Sequence, residues 1–381
     1  MALGYGRTMP EPHPDDRYAW LYDDGRPARG TPSGDPSRRQ PDLPPPNLPP
    51  PGGRPAAGPP SPPRRRRPVG RIVGLVLGAW LIFLVAVPVW AWSQIERVDA
   101  EPDGDRPAEQ PGRTYLLVGT DSRAGLTEAE QVELATGPDE GGNGRTDTIM
   151  LMHVGSGPTV LLSIPRDSLV DIPGYDRTKI NAAYAFGGPE LLVQTVELNT
   201  GIRVDDYVEI GFGGLVKVVD SLGGVEICPE TAIDDPLAGI SLQAGCQEAD
   251  GATALGYSRS RKTFATQDIQ RVQSQREVIG SIAGEAKSPW TVLNPVRYVQ
   301  VARAGTGSLA IGDNVGPISL ARFAWSLSSA MGGGGLNCTV PLRDFAVNWD
   351  PERAPALFDL IASDRSADIG ALCTPDGLPA A

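Results

Sequence analysis

The chain has 381 residues, with 34 Lys and Arg against 46 Asp and Glu, a net charge of −12, and as many as 46 Gly and 38 Pro. That acidic balance argues against a nucleic-acid binder, whose affinity rests on lysines and arginines set against phosphates. Length alone allows two average domains, but composition removes the first fifth from the folded part.

The segment Pro41–Pro63 is almost entirely Pro, Gly, Ala and Arg. It has too little apolar surface to offset the entropy of ordering it. Residues 1–71 therefore read as a disordered Pro- and Arg-rich tail, partly polyproline II, acting as a spacer. The basic block Arg64–Arg67 follows, and then Ile72–Trp92, 21 residues without a charge. At about 1.5 Å per residue such a run crosses a hydrocarbon core of about 30 Å. Trp90 and Trp92 stand at its end, where an indole ring suits the membrane interface. The run lies too deep in the chain for an ordinary signal peptide, so residues 72–92 are expected as a transmembrane helix.

Charge gives the orientation. Residues 1–71 hold 12 Lys and Arg against 7 Asp and Glu, and the remainder holds 22 against 39. By the positive-inside rule the tail is cytoplasmic and the large domain is extracytoplasmic, on a single-pass protein of the cell membrane. Cys228, Cys246, Cys338 and Cys373 all fall in that outer part, an even number in an oxidising compartment, at spacings that match no zinc signature. Of the three possible pairings, Cys228–Cys246 with Cys338–Cys373 closes the shortest loops. Free buried thiols are the alternative.

Residues 93–113 read as a linker and 114–381 as the extracytoplasmic domain. Short apolar runs bounded by Gly, Asp or Pro predict strands at Tyr115–Val118, Ile149–His153 and Val160–Ile164. The polar, Gly-rich stretch Thr127–Gly144 looks like a surface insertion. Pro189 and Glu190 open a helix reaching Leu198, with Gly201 past its end. Tyr207–Ile210 and Val225–Cys228 read as strands, and between them Leu215–Leu222 as an apolar helix stopped by Gly223 and Gly224. A long helix is expected over Gln267–Ala286, and Asp350-Pro351-Glu352 starts a last one through Ile361. Strands interleaved with helices imply an α/β layered sheet.

Arginines and carboxylates gather at four strand or helix edges: Asp121 and Arg123 in VGTDSR, Arg145 and Asp147 in GRTDT, Arg166 and Asp167 in SIPRDS, and Arg259, Arg261, Asp268, Arg271 and Gln275 in the run starting YSRSR. Guanidiniums drawn together repel one another unless a multivalent anion lies between them, and phosphate or pyrophosphate suits their planar fork of donors. Asp121 and Asp147 among them suit a hard divalent cation bridging phosphate oxygens. Asp268, Arg271 and Gln275 share one helical face, at i, i+3 and i+7. Taken singly, each has an ordinary reading: Arg259 and Arg261 as surface charge on an extended stretch, Asp268 with Arg271 as a helical ion pair, Asp167 as a turn cap. Their joint appearance in an acidic domain favours the anion site.

These motifs resemble the LytR-CpsA-Psr wall-polymer ligases. GTDSR, RTDTIMLMHV, SIPRDSLVDIPG, KINAAYAFGG and YSRSR with a downstream D-x-x-R-x-x-x-Q occur in that family's order, over about Thr114 to Ile361. The resemblance implies an α-β-α sandwich around a central mixed sheet, enclosing an apolar pocket for a polyprenyl chain. It implies Asp121 and Asp147 as ligands of Mg2+ (or Mn2+), and Arg145, Arg166, Arg259, Arg261, Arg271 and Gln275 as a pyrophosphate clamp oriented by Asp268. Lys179 and Asn181 would line the same mouth, with Arg123 and Asp167 beside it. Gln270 and Ser274 depart from the family's helix, which usually carries Gly and a second Arg there.

The activity so implied is transfer of a glycopolymer from a polyprenyl-pyrophosphate carrier to a peptidoglycan hydroxyl, with hydrolysis of the carrier pyrophosphate as a side reaction. A non-catalytic module that binds or senses envelope polymer is the alternative; the paired aspartates argue for metal chemistry over holding alone. The oligomeric state is not legible.

Overall fold

The structure, a computed structural model, describes residues 69–121, 134, 144–260, 267–343 and 348–379, without the side chains of 267–272. The Pro-rich tail, Arg123, Arg261 and most of the Thr127–Gly144 stretch lie outside the described residues. The chain divides into two units, Met1–Arg67 and Pro68–Ala381, and every described residue belongs to the second.

Helix α1 (Val69–Trp92) begins three residues before the expected span. It is long and apolar enough to cross a membrane, and Val87 and Ala91 are its buried residues. Pro88, in its last turn and a half, has no amide to give the Leu84 carbonyl, which accepts from Tyr298 OH at 3.0 Å instead.

The strands are β1 (Glu96–Val98), β2 (Arg113–Thr120), β3 (Thr146–Val154), β4 (Thr159–Ser163), β5 (Leu169–Val170), β6 (Thr178–Lys179), β7 (Asp206–Gly211), β8 (Val225–Ile227), β9 (Ile233–Asp235), β10 (Ile240–Leu242), β11 (Gln247–Ala249), β12 (Leu309–Gly312) and β13 (Gly335–Thr339). Seven form one sheet in the order β1-β12-β7-β2-β3-β4-β13. Strand β2 pairs parallel with β7 and antiparallel with β3, and β3 pairs antiparallel with β4. Thus β2, β4 and β7 end at one edge, where β3 begins. Residues 93–113, expected as a linker, instead contribute β1, which pairs in parallel with β12 at the sheet margin.

The helices are α2 (Asn181–Thr200), α3 (Phe212–Ser221), α4 (Gly251–Arg259), α5 (Gln267–Ala286), α6 (Pro289–Leu293), α7 (Pro295–Thr306), α8 (Pro317–Ser329) and α9 (Arg353–Ala362). The sheet is covered on both faces, which explains why its strands read as continuous apolar runs. Leu116 and Val118 face one layer with Leu192 and Val196 of α2 and Leu357 and Ile361 of α9. Tyr115 and Leu117 alternate to the other, with Ile279 of α5 and Phe323 and Leu327 of α8. This is the expected α-β-α sandwich. In α2, Gly187 and Gly188 leave helical geometry, so Pro189 opens the second half. Gly201, at φ 68°, closes it in the left-handed region that suits glycine.

A satellite core joins α3, α4 and α5 to the two small sheets β8–β11 and β9–β10. Both expected disulfides are present, Cys228–Cys246 beside β8 and Cys338–Cys373 tying β13 to the C-terminal segment. Loss of the second, by Cys338→Ala, is expected to cost about 2–5 kcal/mol. The melting temperature of oxidised protein should fall toward that of reduced protein, and identical melting in all three samples would contradict this.

At the sheet end away from the mouth of the site described below, buried His153 contacts Thr114 Oγ1 through Nδ1 at 3.0 Å and Asp364 Oδ1 through Nε2 at 3.2 Å. The Ser156 amide donates to both Asp364 oxygens at 3.0 Å. A Cβ on Gly155 would fall 1.6 Å from Asp364 Oδ1, so glycine is needed for this approach. Burial pushes the Asp364 carboxyl up, but Ser156 and His153 outweigh it and hold it below its ordinary value. A depressed carboxyl contributes stability above the unfolded value, about 3.9, and loses it as pH falls through the folded one. Asp364→Asn should therefore lower the melting temperature at neutral pH, with the gap closing below about pH 4. A gap that persists in acid would refute it.

Candidate functional site

The shared edge of β2, β4 and β7 brings the sequence-predicted residues together. Asp121 directly follows β2. Its amide donates to the Arg145 carbonyl oxygen at 2.9 Å, and its Oδ1 accepts from the Arg145 amide at 2.5 Å. A register shift between Gly119 and Thr120 precedes this pair, and such bulges re-aim side chains at strand ends. Asp147 lies inside β3 rather than before a strand.

Arg166, in the turn after β4, donates through Nη1 to Asp147 Oδ1. Its Nε is buried without a hydrogen-bond partner among the described residues. Asp167 Oδ2 lies 3.9 Å from that Nε, an ion-pair contact rather than a hydrogen bond. Asp167 pairs with Lys179 Nζ at 2.9 Å, so it does more than cap a turn. The Asn181 amide donates to the Arg166 carbonyl at 3.2 Å, and that of Ile180 to the Ser168 carbonyl at 2.8 Å. Trp349 Nε1 donates to Ser168 Oγ at 3.0 Å, pinning the same turn from the C-terminal side.

The sequence reading put Arg259 on an extended stretch; instead it is the last residue of helix α4. Its guanidinium lies 5.0 Å over the Phe212 ring at the start of α3, and its Nη1 donates to the Leu134 carbonyl at 3.1 Å. Gln275 of α5 donates through Nε2 to the Asp147 carbonyl at 3.4 Å. Asp268 and Arg271 lie in the first turns of α5, and Arg261 precedes them; their side chains are outside the described residues.

Asp147, Arg259 and Gln275 rim a cavity of about 600 Å³, within the range of small-molecule pockets. Inward from them its walls are Leu117, Val208, Leu255, Val278, Ile282 and Phe323, and it continues to Ala286, Lys287 and Trp325. Between Gln275 and Ala286, α5 alone rises about 16 Å along it. The chamber is thus apolar and elongated, with Asp147, Arg259 and Gln275 at the mouth and Lys287 at the far end. Asp147 at that mouth, and Asp121 directly after the Thr120 that lines it, each give one carboxylate oxygen to a protein donor. Hard carboxylate oxygens in this number fit Mg2+, which takes one or two and completes its shell with phosphate and water.

Two charged residues escaped the sequence reading. Buried Glu209 of β7 accepts from Thr120 Oγ1 at 3.2 Å, Tyr184 OH at 2.8 Å and Tyr207 OH at 2.6 Å, just behind Asp121. Burial, then the neighbouring carboxylate, push the Tyr184 and Tyr207 hydroxyls up, so both remain proton donors. The signal was available: Tyr184 sits inside KINAAYAFGG, and Glu209 interrupts an apolar strand. Arg276, next to Gln275, is buried and bonded to Ser163, Thr339 and backbone carbonyls.

Comparison with known proteins places this geometry. Residues 93–309 match the LytR_cpsA_psr family. The chain is 47% identical over 298 residues to the probable cell wall biosynthesis protein LcpB of Corynebacterium glutamicum, covering 76% of this chain and 70% of that protein. It is 30% identical over 230 residues to the polyisoprenyl-teichoic acid–peptidoglycan teichoic acid transferase TagU of Oceanobacillus iheyensis, covering 57% and 63%. In fold it is similar to a LytR-Csp2A-Psr enzyme from Actinomyces oris, with a TM-score of 0.56 at 23% identity, over 74% of this chain and 97% of that one. It is also similar to TagV of B. subtilis, with a TM-score of 0.51 at 20% identity, over 69% and 98%. With the strand-edge motifs in order, the layered fold around an apolar chamber and this match over more than half its length, the chain belongs to the LytR_cpsA_psr family.

Proposed function

We propose that the chain is a membrane-anchored transferase that moves a glycopolymer from a polyprenyl-pyrophosphate carrier onto a peptidoglycan hydroxyl. The observation that carries this reading is the joining of a charged mouth, with Asp147, Arg166, Arg259 and Gln275, to an elongated apolar chamber. A lipid-linked pyrophosphate has the same two parts, a polyanionic head and an apolar tail. The names of LcpB and TagU point to wall-polymer transfer in relatives. Helix α1, with arginines before it, supplies the anchor, the N-terminus being cytoplasmic and the site extracytoplasmic.

In this reading the acceptor hydroxyl oxygen attacks the sugar-proximal phosphorus. A new P–O bond forms, the bond to the bridging oxygen breaks, and polyprenyl phosphate leaves while the hydroxyl gives up its proton. Arg166 and Arg259 hold the phosphate oxygens and stabilise the charge that grows on the leaving group. Arg145, Arg261 and Arg271 add to that clamp, and Asp268 orients it. Lys179 is paired to Asp167 and Asn181 is tied to the Arg166 turn, so both position its rim. Asp121 and Asp147 would hold Mg2+ (or Mn2+), which would offset the negative charge of the phosphates. Glu209, gripping three hydroxyls, keeps Tyr184 and Thr120 fixed behind Asp121.

The test is incubation of the full chain in detergent with a defined lipid-linked glycan, peptidoglycan fragments and Mg2+, followed by mass spectrometry. Phosphodiester-linked product with release of polyprenyl phosphate is the expected result. Tight lipid binding without product under any acceptor would establish the non-catalytic module instead.

A further inference from the structure

At the end of the cavity away from its mouth, an uncharged apolar run lies on the surface. No Asp, Glu, Lys or Arg occurs between Lys287 and Arg297, a stretch that forms α6 and the first turn of α7. Within it Trp290 is 60% exposed, Leu293 62% and Val296 64%. Three large apolar side chains so open to water, close together in the chain, mark a surface that something covers.

The contacts of α7 with α1 say what covers it. Tyr298 OH donates to the Leu84 carbonyl at 3.0 Å, its ring lies 5.8 Å from that of Phe83, and the Arg303 guanidinium lies 5.7 Å over the Trp90 ring. Moving up the chain from Tyr298 to Arg303 moves the contact up α1 from Leu84 to Trp90, so the two helices run side by side in the same direction. Leu84 precedes the end of α1 at Trp92 by eight residues, or about 12 Å along the axis. If Trp90 and Trp92 mark the interface, Leu84 and the Tyr298 beside it lie at the level of lipid acyl chains. Val296, before Tyr298 in α7, continues in the direction of the membrane interior, with Leu293 adjoining it.

We propose that α6 and the first turn of α7 are embedded in the hydrocarbon of the outer leaflet beside α1, a second membrane contact that seats the folded part on the bilayer. This rests on the reading of α1 as a membrane span. The charges at its borders agree with it. Arg303 and Lys287 flank the run, and long basic side chains bury their stems while the head reaches lipid phosphates; Arg297 instead turns inward to the Leu222 carbonyl and Glu285 Oε2. Lys287 lies 5.1 Å over the ring of Trp325, itself 71% exposed, and both line the far end of the cavity. Seated in this way, the far end of the cavity, lined by Lys287 and Trp325, lies directly beside the leaflet. An apolar chain then passes from bilayer to cavity without crossing water.

The test uses the full chain in vesicles of phosphatidylcholine and phosphatidylglycerol, with a nitrobenzoxadiazole probe on a single added cysteine, the native four being paired. Probes go at Leu293, at Leu81 in α1, and at Leu198 on α2, which is exposed. Nitroxide-labelled lipid should quench most of the emission at Leu293 and Leu81 and little at Leu198, and aqueous iodide should show the reverse order. A Leu293 probe open to iodide while Leu81 is quenched by lipid overturns the proposal and leaves the span intact. If neither is quenched by lipid, the span and the proposal fall together. A Leu293 probe shielded from both quenchers is covered by protein, which also overturns it.

Discussion

Arg166→Ala and Arg259→Ala are each expected to slow glycan transfer by a factor of several hundred while the fold persists. Each removes a donor from a mouth sheltered by protein, and one such donor to a developing charge is worth about 3–4 kcal/mol. Arg166 is held at the mouth by the bond from its Nη1 to Asp147 and by Asp167 Oδ2, which lies 3.9 Å from its Nε. Arg259 is held over Phe212, so its loss also opens the wall of the chamber. Both variants should therefore lower kcat, and Arg259→Ala should raise the KM for the lipid donor as well. Asp121→Ala and Asp147→Ala should abolish activity together with its dependence on Mg2+. Transfer at the unaltered rate by the two arginine variants would defeat the site assignment even if the reaction class survived.

The parts of this molecule that were legible in sequence are those where local chemistry and tertiary role agree. Tyr115–Val118 and Ile149–His153 read as strands because both of their faces are buried, leaving unbroken apolar runs. Asp121, Asp147 and Arg166 were found because polar residues directly at the ends of such runs have nowhere to go but a shared edge. The margins of the sheet were not legible. Strand β13 reads Gly-Leu-Asn-Cys-Thr, with no strand signal beyond its last residues, and is extended because it pairs with Thr159–Ser163. Strand β1 is three residues in a polar stretch and exists through β12. Helices α6, α7 and α8 were legible but went unread: Ser288-Pro289, Asn294-Pro295 and Gly316-Pro317 each set a proline at the first helical position. The Asn294 side chain accepts from the amides of Val296 and Arg297, as a cap should.

Arg276 was missed because a guanidinium one residue from Gln275, on the polar part of a helix, gives no sign in sequence of being buried. It is 8% exposed, and its nitrogens reach Ser163 Oγ at 2.9 Å, Thr339 Oγ1 at 3.0 Å, the Pro375 carbonyl at 3.1 Å and the Cys338 carbonyl. One side chain thereby ties α5 to β4, to β13 and to the C-terminal segment that the Cys338–Cys373 bridge also holds. Burial pushes its ionisation down to about 10, so it is still charged at neutral pH. Among the described residues no carboxylate bonds to it, and hydroxyls and carbonyls carry the charge instead. Arg276→Ala removes those bonds, leaves two carbonyls and two hydroxyls to find new donors, and opens a cavity. An expected loss of about 3–5 kcal/mol follows, since hydrogen bonds to charged groups contribute about 1.5–3 kcal/mol and orphaned groups cost a similar amount. Arg276→Met fills the space without the charge, and because burying a charge is itself costly, it should recover part of that loss. Chemical denaturation of the two variants against the parent protein reads the difference directly. If Met and Ala lose the same stability, the space matters little and the bonds account for the effect. If neither loses more than about 1 kcal/mol, the tie is not a structural one. The sign on catalysis also follows. With α5 less firmly held, Gln275 loses its fixed approach to the Asp147 carbonyl, so the KM for the lipid donor should rise more than kcat falls.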